Sequence, residues 1–343
     1  MQKVAIITIE SMNFGNRLQN YALQQVIKLE NNEVKTLHRN IKAKGVKADI
    51  QRAVQNMLQT KAAKFRQFDS YIEFSNIIIG RDNYPKDLSE QFDYFVVGSD
   101  QVWNPHYDFV AGKCDFLAFA NDNQKISYAA SFGVSEIPLE RKKEYAKYLK
   151  TFKAISVRES KGCKIVKDLV NREAIVVLDP TLLLDESEWK KLEKKSHYCP
   201  KHKYVFVYAL GDKNDKFKAK IEQLRNKYEI FDVRMVLRNG RELPIGPSEF
   251  LYLLRNAELV LTDSFHATVF SIIFHKRFIT FNRPGLNMNS RIESLAKLIG
   301  QKNCLNDTGD LDCEIKIDYV KVDEILKEER RKSIAFLKKA LNN

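Results

Sequence analysis

The chain has 343 residues, 44% of them hydrophobic and 29% charged, and 57 basic side chains outweigh 44 acidic ones for a formal charge of +13. That length exceeds what one hydrophobic core organises comfortably, so two domains are expected, and the composition excludes a disordered chain. The charge attracts anions in general, but no apolar run approaches the roughly 20 residues that span a bilayer, which excludes a transmembrane helix.

Read in chain order, Lys3–Ile9 is a short apolar run with no small-residue cleavage site after it, so it predicts a strand and not a signal peptide. A loop over Met12–Asn16 and an amphipathic helix over Arg17–Leu29 follow, then a strand at Glu33–His38 and a polar, helix-like segment from Val46 to Phe74. Phe92–Gly98, Lys125–Ser131 and Ala154–Glu159 read as strands, with a helix at Pro138–Phe152, and Ile175–Leu178 is a strand stopped by Asp179-Pro180. A second series starts at Lys203. Strands at Lys203–Leu210, Phe231–Leu237, Glu258–Thr262 and Arg277–Phe281 alternate with helices at Lys216–Tyr228, Pro247–Ala257, Ser264–Phe274 and Ser290–Gly300.

Such alternation predicts an α/β chain with parallel sheets and right-handed crossovers, in two Rossmann-like domains facing each other. The division is expected in the lysine-rich stretch between Trp189 and Lys203, giving an N-terminal domain over 1–190 and a C-terminal one over 200–320. The last segment, 321–343, is a helix assignable to either. The five cysteines (Cys114, Cys163, Cys199, Cys304 and Cys313) are odd in number and form no C-x-x-C, which reads as free thiols in a reducing cytosol with no metal site. No RNP-type aromatic motif, zinc finger or helix-turn-helix supports specific nucleic-acid binding.

In open parallel sheets ligands bind beyond the carboxyl ends of strands. Polar clusters fall there repeatedly: Ser11 to Asn16 with Gly15, then Ser99, Asp100, Gln101, Trp103 and Asn104, then Ser131, then Arg158 and Glu159, and finally Asp263, Ser264 and His266. Structural explanations exist for single members. Gly15 suits a tight turn, Asp100 a turn, Trp103 a core, and Asp263 or Ser264 a helix N-cap. Neither G-x-G-x-x-G nor a P-loop occurs, so no dinucleotide cofactor is indicated. His266 falls in the first turn of a helix, where free N–H groups favour anions and where a group that can itself be cationic points to phosphate binding or proton transfer.

At these residues the sequence resembles the polysaccharide pyruvyl transferase family, through FGNRLQNYALQ, VVGSDQVWNP, YAASFG, SVRES, VLDPTLLL, PSEFLYLLRNAELVLTDSFHATVFSIIF and NSRIESLAKLIG, in order from Phe14 to Gly300. The resemblance implies a GT-B-like pair of Rossmann-like domains around a cleft. It also implies phosphoenolpyruvate as donor substrate, with no further cofactor, and a sugar acceptor that is nucleotide-linked, lipid-linked or polymeric, in surface polysaccharide synthesis. By motif position Asp100, Arg158 and His266 correspond to the active-site acid, basic clamp and histidine. Where many members carry Arg-Leu-His this chain has Ser264-Phe265-His266, and Arg291, after the polar loop 287–290, is the candidate replacement guanidinium.

Ketal formation needs a proton on the vinyl carbon, a base at the sugar hydroxyl and donors for the departing phosphate. His266 is expected as proton donor, Asp100 as base, Arg158 as the clamp and Trp103 as a surface for a sugar ring. Gly15, Asn16, Ser99, Asn104, Ser131, Asp263, Ser264 and Arg291 are expected to line the substrates. The expected location is the cytoplasm, with peripheral association at the inner face of the membrane. A nucleotide-sugar glycosyltransferase and a non-catalytic polyanion-binding protein are the competing readings.

Overall fold

A computed structural model describes residues 1–39, 54, 57, 58, 60–237, 240–283, 290–300 and 317–342. The chain divides into two compact units, Met1–Ala43 with Asp69–Leu183 and Lys327–Asn343, and Lys44–Phe68 with Leu184–Leu326.

The first unit is a seven-stranded sheet in which every pairing is parallel. Its strands are β1 (Lys3–Ile7), β2 (Glu33–Arg39), β3 (Phe74–Ile79), β4 (Tyr94–Asp100), β5 (Lys125–Ala130), β6 (Ala154–Val157) and β7 (Ile175–Val176), in the order β3-β2-β1-β4-β5-β6-β7. Helices α1 (Phe14–Leu29), α3 (Leu139–Leu149) and α4 (Ser160–Val170) supply crossovers; the intervening α2 (Lys61–Asp69) lies almost wholly in the second unit. All of β5 and nearly all of β1 and β4 are buried, as expected of strands covered on both faces. The core beside them is aromatic: Trp103 stacks on Phe116, with Phe132 and Phe152 against its other sides.

Two local differences from the sequence reading have clear causes. The strand expected over Ile175–Leu178 is shorter: Ile175 and Val176 form β7, the exposed last strand, and burial resumes at Val177 and Leu178. The helix-like segment expected from Val46 to Phe74 lies partly outside the described residues. Its described end is α2, after which β3 begins at Phe74, a strand that the polar stretch concealed.

The second unit has four parallel strands, β8 (Tyr204–Tyr208), β9 (Glu229–Asp232), β10 (Leu259–Thr262) and β11 (Phe278–Thr280), in the order β11-β10-β8-β9. Its helices are α5 (Glu186–Lys190), α6 (Asp215–Arg225), α7 (Pro247–Arg255), α8 (Phe265–Ile273) and α9 (Ser290–Leu298). α8 is buried along its whole length, which explains why it is hydrophobic on all sides. β9 ends earlier than the expected strand, because the Asp232 carboxylate accepts the Arg234 N–H at 3.0 Å and turns the chain.

The chain leaves the first unit at Leu183, ahead of the lysine-rich stretch. That stretch is built into the second unit: buried Trp189 meets Phe270 edge-on at 4.9 Å, Glu193 pairs with Arg255, and Lys194 N–H donates to the Ser248 carbonyl. α2 joins the same unit through a 3.0 Å ion pair from Lys64 to Glu249. The final helix, α10 (Tyr319–Asn342), divides at Leu326/Lys327. Its later turns belong to the first unit, where Ser333 Oγ accepts the Leu178 N–H. Among the described residues no helix is long and apolar enough to cross a membrane.

Candidate active site

In the first sheet the chain builds outward from β1 in one direction and from β4 in the other, so the two strands flank the topological switch point, where loops part and a ligand crevice forms. Asn13 N-caps α1 by accepting the Gly15 N–H at 2.9 Å. That sets Asn16 one turn in, where its amide nitrogen donates to Asp100 Oδ2 and its oxygen accepts from Ser11 Oγ. Asp100 ends β4 with φ of 74°, in the left-handed region that side chains seldom occupy. Gly98, two residues before, has φ of 118°, and a Cβ there would lie 2.2 Å from the Tyr128 carbonyl oxygen, so only glycine lets β4 run this close to β5.

Asp100 Oδ1 accepts the Gln101 N–H at 2.8 Å and lies 3.4 Å from Arg158 Nη2. The other end of the same guanidinium, Nη1, is 3.4 Å from Asp179 Oδ2. Asp179 is held by Ser99 Oγ at 2.9 Å and by the N–H and hydroxyl of Thr181 at 3.0 and 2.6 Å. One buried cation thus sits between two carboxylates, an inner one enclosed by protein donors and an outer one beside Asn16. Expected as a fork for a donor anion, Arg158 is turned on Asp100 and Asp179 and orients the former. Burial, with the Asp179 carboxylate second, holds the Tyr128 phenol well above its ordinary range. Tyr128 therefore stays a neutral donor, to the Leu178 carbonyl at 3.1 Å.

The structure brings Asn16, Asp100 and Arg158 together and sets other expected residues behind them. Ser99 is enclosed and serves Asp179. Ser131 Oγ donates to Glu159 Oε1 at 2.9 Å, and Glu159 Oε2 is buried and accepts no hydrogen bond among the described residues. Asn104 closes a turn by accepting the His106 N–H. Trp103 corrects an expectation. It is fully buried, its indole N–H donates to the Asp115 carbonyl at 2.9 Å, and three phenylalanines surround it, so it has no face to offer a sugar. Asp179 had no role assigned from sequence. Its signal was an acid at a strand end, followed by proline and then a threonine able to close the turn.

In the second sheet the order reverses between β8 and β10. Asp263, just after β10, accepts the Leu210 N–H at 2.6 Å and the Gly211 N–H at 3.0 Å, and pairs with Arg283 Nε at 3.2 Å. All three bonds tie loops of this unit together, a structural use that the sequence reading did not weigh for this residue. Arg283 was missed by that reading. Ser264 N-caps α8, its hydroxyl accepting the Ala267 N–H at 3.4 Å. His266 lies buried in the first turn, with its ring edge-on to Phe265 at 5.3 Å, and no acidic residue occupies that turn. The Arg291 guanidinium lies 5.6 Å from the Phe265 ring centroid, a cation–π contact that sets it near the α8 N-terminus. Within this unit His266, Arg291 and the helix end converge, an arrangement suited to an anion.

Among the described residues no three His, Cys, Asp or Glu side chains group as metal ligands. Cys114, Cys163 and Cys199 are free thiols, and burial pushes the Cys114 thiol up to about 12; Cys304 and Cys313 lie outside the described residues.

Solved structures share the fold at low identity. The UDP-GlcNAc 2-epimerase of Methanocaldococcus jannaschii superposes with a TM-score of 0.52 at 12% identity, over 95% of this chain and 92% of that one. A putative UDP-N-acetylglucosamine 2-epimerase from Listeria monocytogenes gives 0.50 at 11%, over 95% of each chain. Arabidopsis thaliana UGT89C1, solved with UDP-L-rhamnose, gives 0.50 at 10%, over 99% of each. These likenesses establish a GT-B-type fold and nothing of substrate. No curated protein sequence matches the chain significantly. The family model described as polysaccharide pyruvyl transferase matches residues 13–284, a span that includes Asn16, Asp100, Arg158, Asp179, Asp263 and His266. With that span and this fold, the chain belongs to the polysaccharide pyruvyl transferase family.

Proposed function

We propose that the protein transfers the pyruvyl group of phosphoenolpyruvate to sugar hydroxyls as a ketal, in the assembly of a surface polysaccharide. The observation that carries this reading is Asp100, a carboxylate at a sheet switch point, held at positive φ and oriented by Asn16 and Arg158 in a chain of this family. Strained backbone at a strand end is characteristic of functional positions.

In the proposed reaction a proton adds to the vinyl CH2 carbon and makes C2 electrophilic. A sugar hydroxyl adds to C2 and gives its proton to Asp100. Phosphate leaves with its bonding electron pair, and a second hydroxyl closes the ketal. Two hydroxyl protons are released; one replaces the proton spent on the CH2 carbon and the other leaves on phosphate. His266 is assigned to donation of that first proton, and Arg291 with the N–H groups of the first α8 turn to the donor's anionic groups. The net charge of +13 supports peripheral contact with anionic lipid, where a lipid-linked acceptor would be met.

The test is incubation with phosphoenolpyruvate and a panel of nucleotide-linked, lipid-linked and polymeric sugars, reading phosphate release and product mass. Phosphate release no greater than that of Asp100→Asn, across the panel, sinks the reading. Nucleotide release from a nucleotide sugar without phosphoenolpyruvate would favour a glycosyltransferase. Arg291→Ala should weaken phosphoenolpyruvate binding by about 2–5 kcal/mol in titration calorimetry, the usual cost of truncating one partner of a desolvated charge pair.

A further inference from the structure

The loop after β4 ends in a feature that the Asp100 site does not use. Tyr107 and Phe109 stack with ring centroids 5.3 Å apart and planes 11° from parallel, and Phe109 is 54% exposed. Exposed His106 and Asp108 flank them. The loop carrying the pair is fastened on several sides. Arg81 donates to the Val110 carbonyl at 3.3 Å, and Arg141 to the carbonyls of Pro105 and Ala111 at 3.3 and 2.8 Å. Ala111 holds a left-handed φ of 54° while its N–H donates to the Val102 carbonyl. A lone exposed phenylalanine calls for no explanation. Here the aromatic surface is a stacked pair on an anchored loop, and it is wired to the proposed base: Tyr107 OH donates to Gln101 Oε1 at 3.1 Å, and the Gln101 N–H donates to Asp100 Oδ1.

We propose that the Tyr107–Phe109 pair is an acceptor subsite, on which a pyranose ring of the sugar stacks. A pyranose has an apolar C–H face that matches an aromatic face, and a rim of hydroxyls that matches polar neighbours. Phe109 offers the face, and the His106 imidazole and Asp108 carboxylate offer partners for hydroxyls. Gln101 is the residue both sites touch, through its side chain at Tyr107 and its backbone N–H at Asp100, which ties the stacked pair to the acceptor side of the reaction. The Trp103 ring expected in this role is in the core, and the pair stands further along the same loop. The proposal rests on the pyruvyl-transfer reading for the identity of the ligand as acceptor.

Saturation-transfer NMR with methyl glycosides of galactose, mannose and N-acetylglucosamine as probes tests it directly. The wild type should bind at least one of them, with saturation concentrated on the protons of one ring face. Phe109→Ala should lower that affinity about tenfold, as expected for loss of one aromatic contact. Its melting temperature and its phosphoenolpyruvate affinity should stay unchanged, and Asp100→Asn should retain glycoside binding. Equal binding by wild type and Phe109→Ala overturns the subsite, as does a wild type that binds none of the probes. A dimer that dissociates in Phe109→Ala overturns it too, by assigning the face to self-association. If glycosides bind through Phe109 while no acceptor supports phosphate release, the subsite stands and the pyruvyl-transfer reading falls.

Discussion

Asp100, the last residue of β4, and Asp263, the first after β10, occupy corresponding places beside their sheets' switch points, and burial does not tell them apart, at 7% and 6% exposure. Their partners do. Asp263 spends its oxygens on two backbone N–H groups and Arg283, so it fastens three loops of its own unit. Asp100 meets the side chains of Asn16 and Arg158 as well as the Gln101 N–H, on a residue held at positive φ. A carboxylate saturated by backbone donors is a staple. One aimed by side chains that are themselves braced behind it can meet a substrate. Topology provides the position, and the donor set decides its use.

The largest expected effect tests that difference at the chemistry. Asp100→Asn should fold normally, because asparagine tolerates the left-handed backbone, yet lose about 10²–10⁴-fold in turnover, the range of general base catalysis. Near-wild-type turnover would reduce Asp100 to a second staple. Arg158→Ala comes next, since it leaves Asp100 and Asp179 buried without their shared cation. Urea unfolding should show a loss of about 3–5 kcal/mol, and a variant as stable as wild type would mean that the Asp100–Arg158–Asp179 cluster is not held by ion pairing. For Asp263→Asn the expectation is reversed: a stability loss of about 1.5–3 kcal/mol from weakened charge-assisted bonds, with much of the turnover kept. A stable but inactive Asp263→Asn would make the two acids alike and break the comparison. Ser264→Ala should cost about 0.5–1 kcal/mol, at the low end for an N-cap because its bond is 3.4 Å long, read as a small drop in melting temperature.

The alternation of strands and helices, both parallel sheets, and the concentration of polar residues at strand ends were legible because they rest on local periodicity and on a general rule of parallel sheets. Asp100 and Asn16 were legible as candidates, but not as partners, since 84 residues separate them. Trp103 was misassigned as a sugar platform because an aromatic beside polar residues looks the same in sequence whether it faces solvent or core. Asp179 and Arg283 were passed over for the related reason that their importance lies in the charges they meet.

What the sequence determined by itself was therefore most of the strand–helix alternation, the fold class and the family, all carried by short-range patterns and motif order. Only the tertiary structure decided which buried charges share a partner, that α2 packs with the second unit through Lys64 and Glu249, and that the lysine-rich stretch is a buttress fixed by Trp189 and Glu193. The physical reason is that burial and ion pairing depend on what the fold brings within a few ångströms. For Arg158 those neighbours are Asp100 and Asp179, which no local pattern announces as its partners.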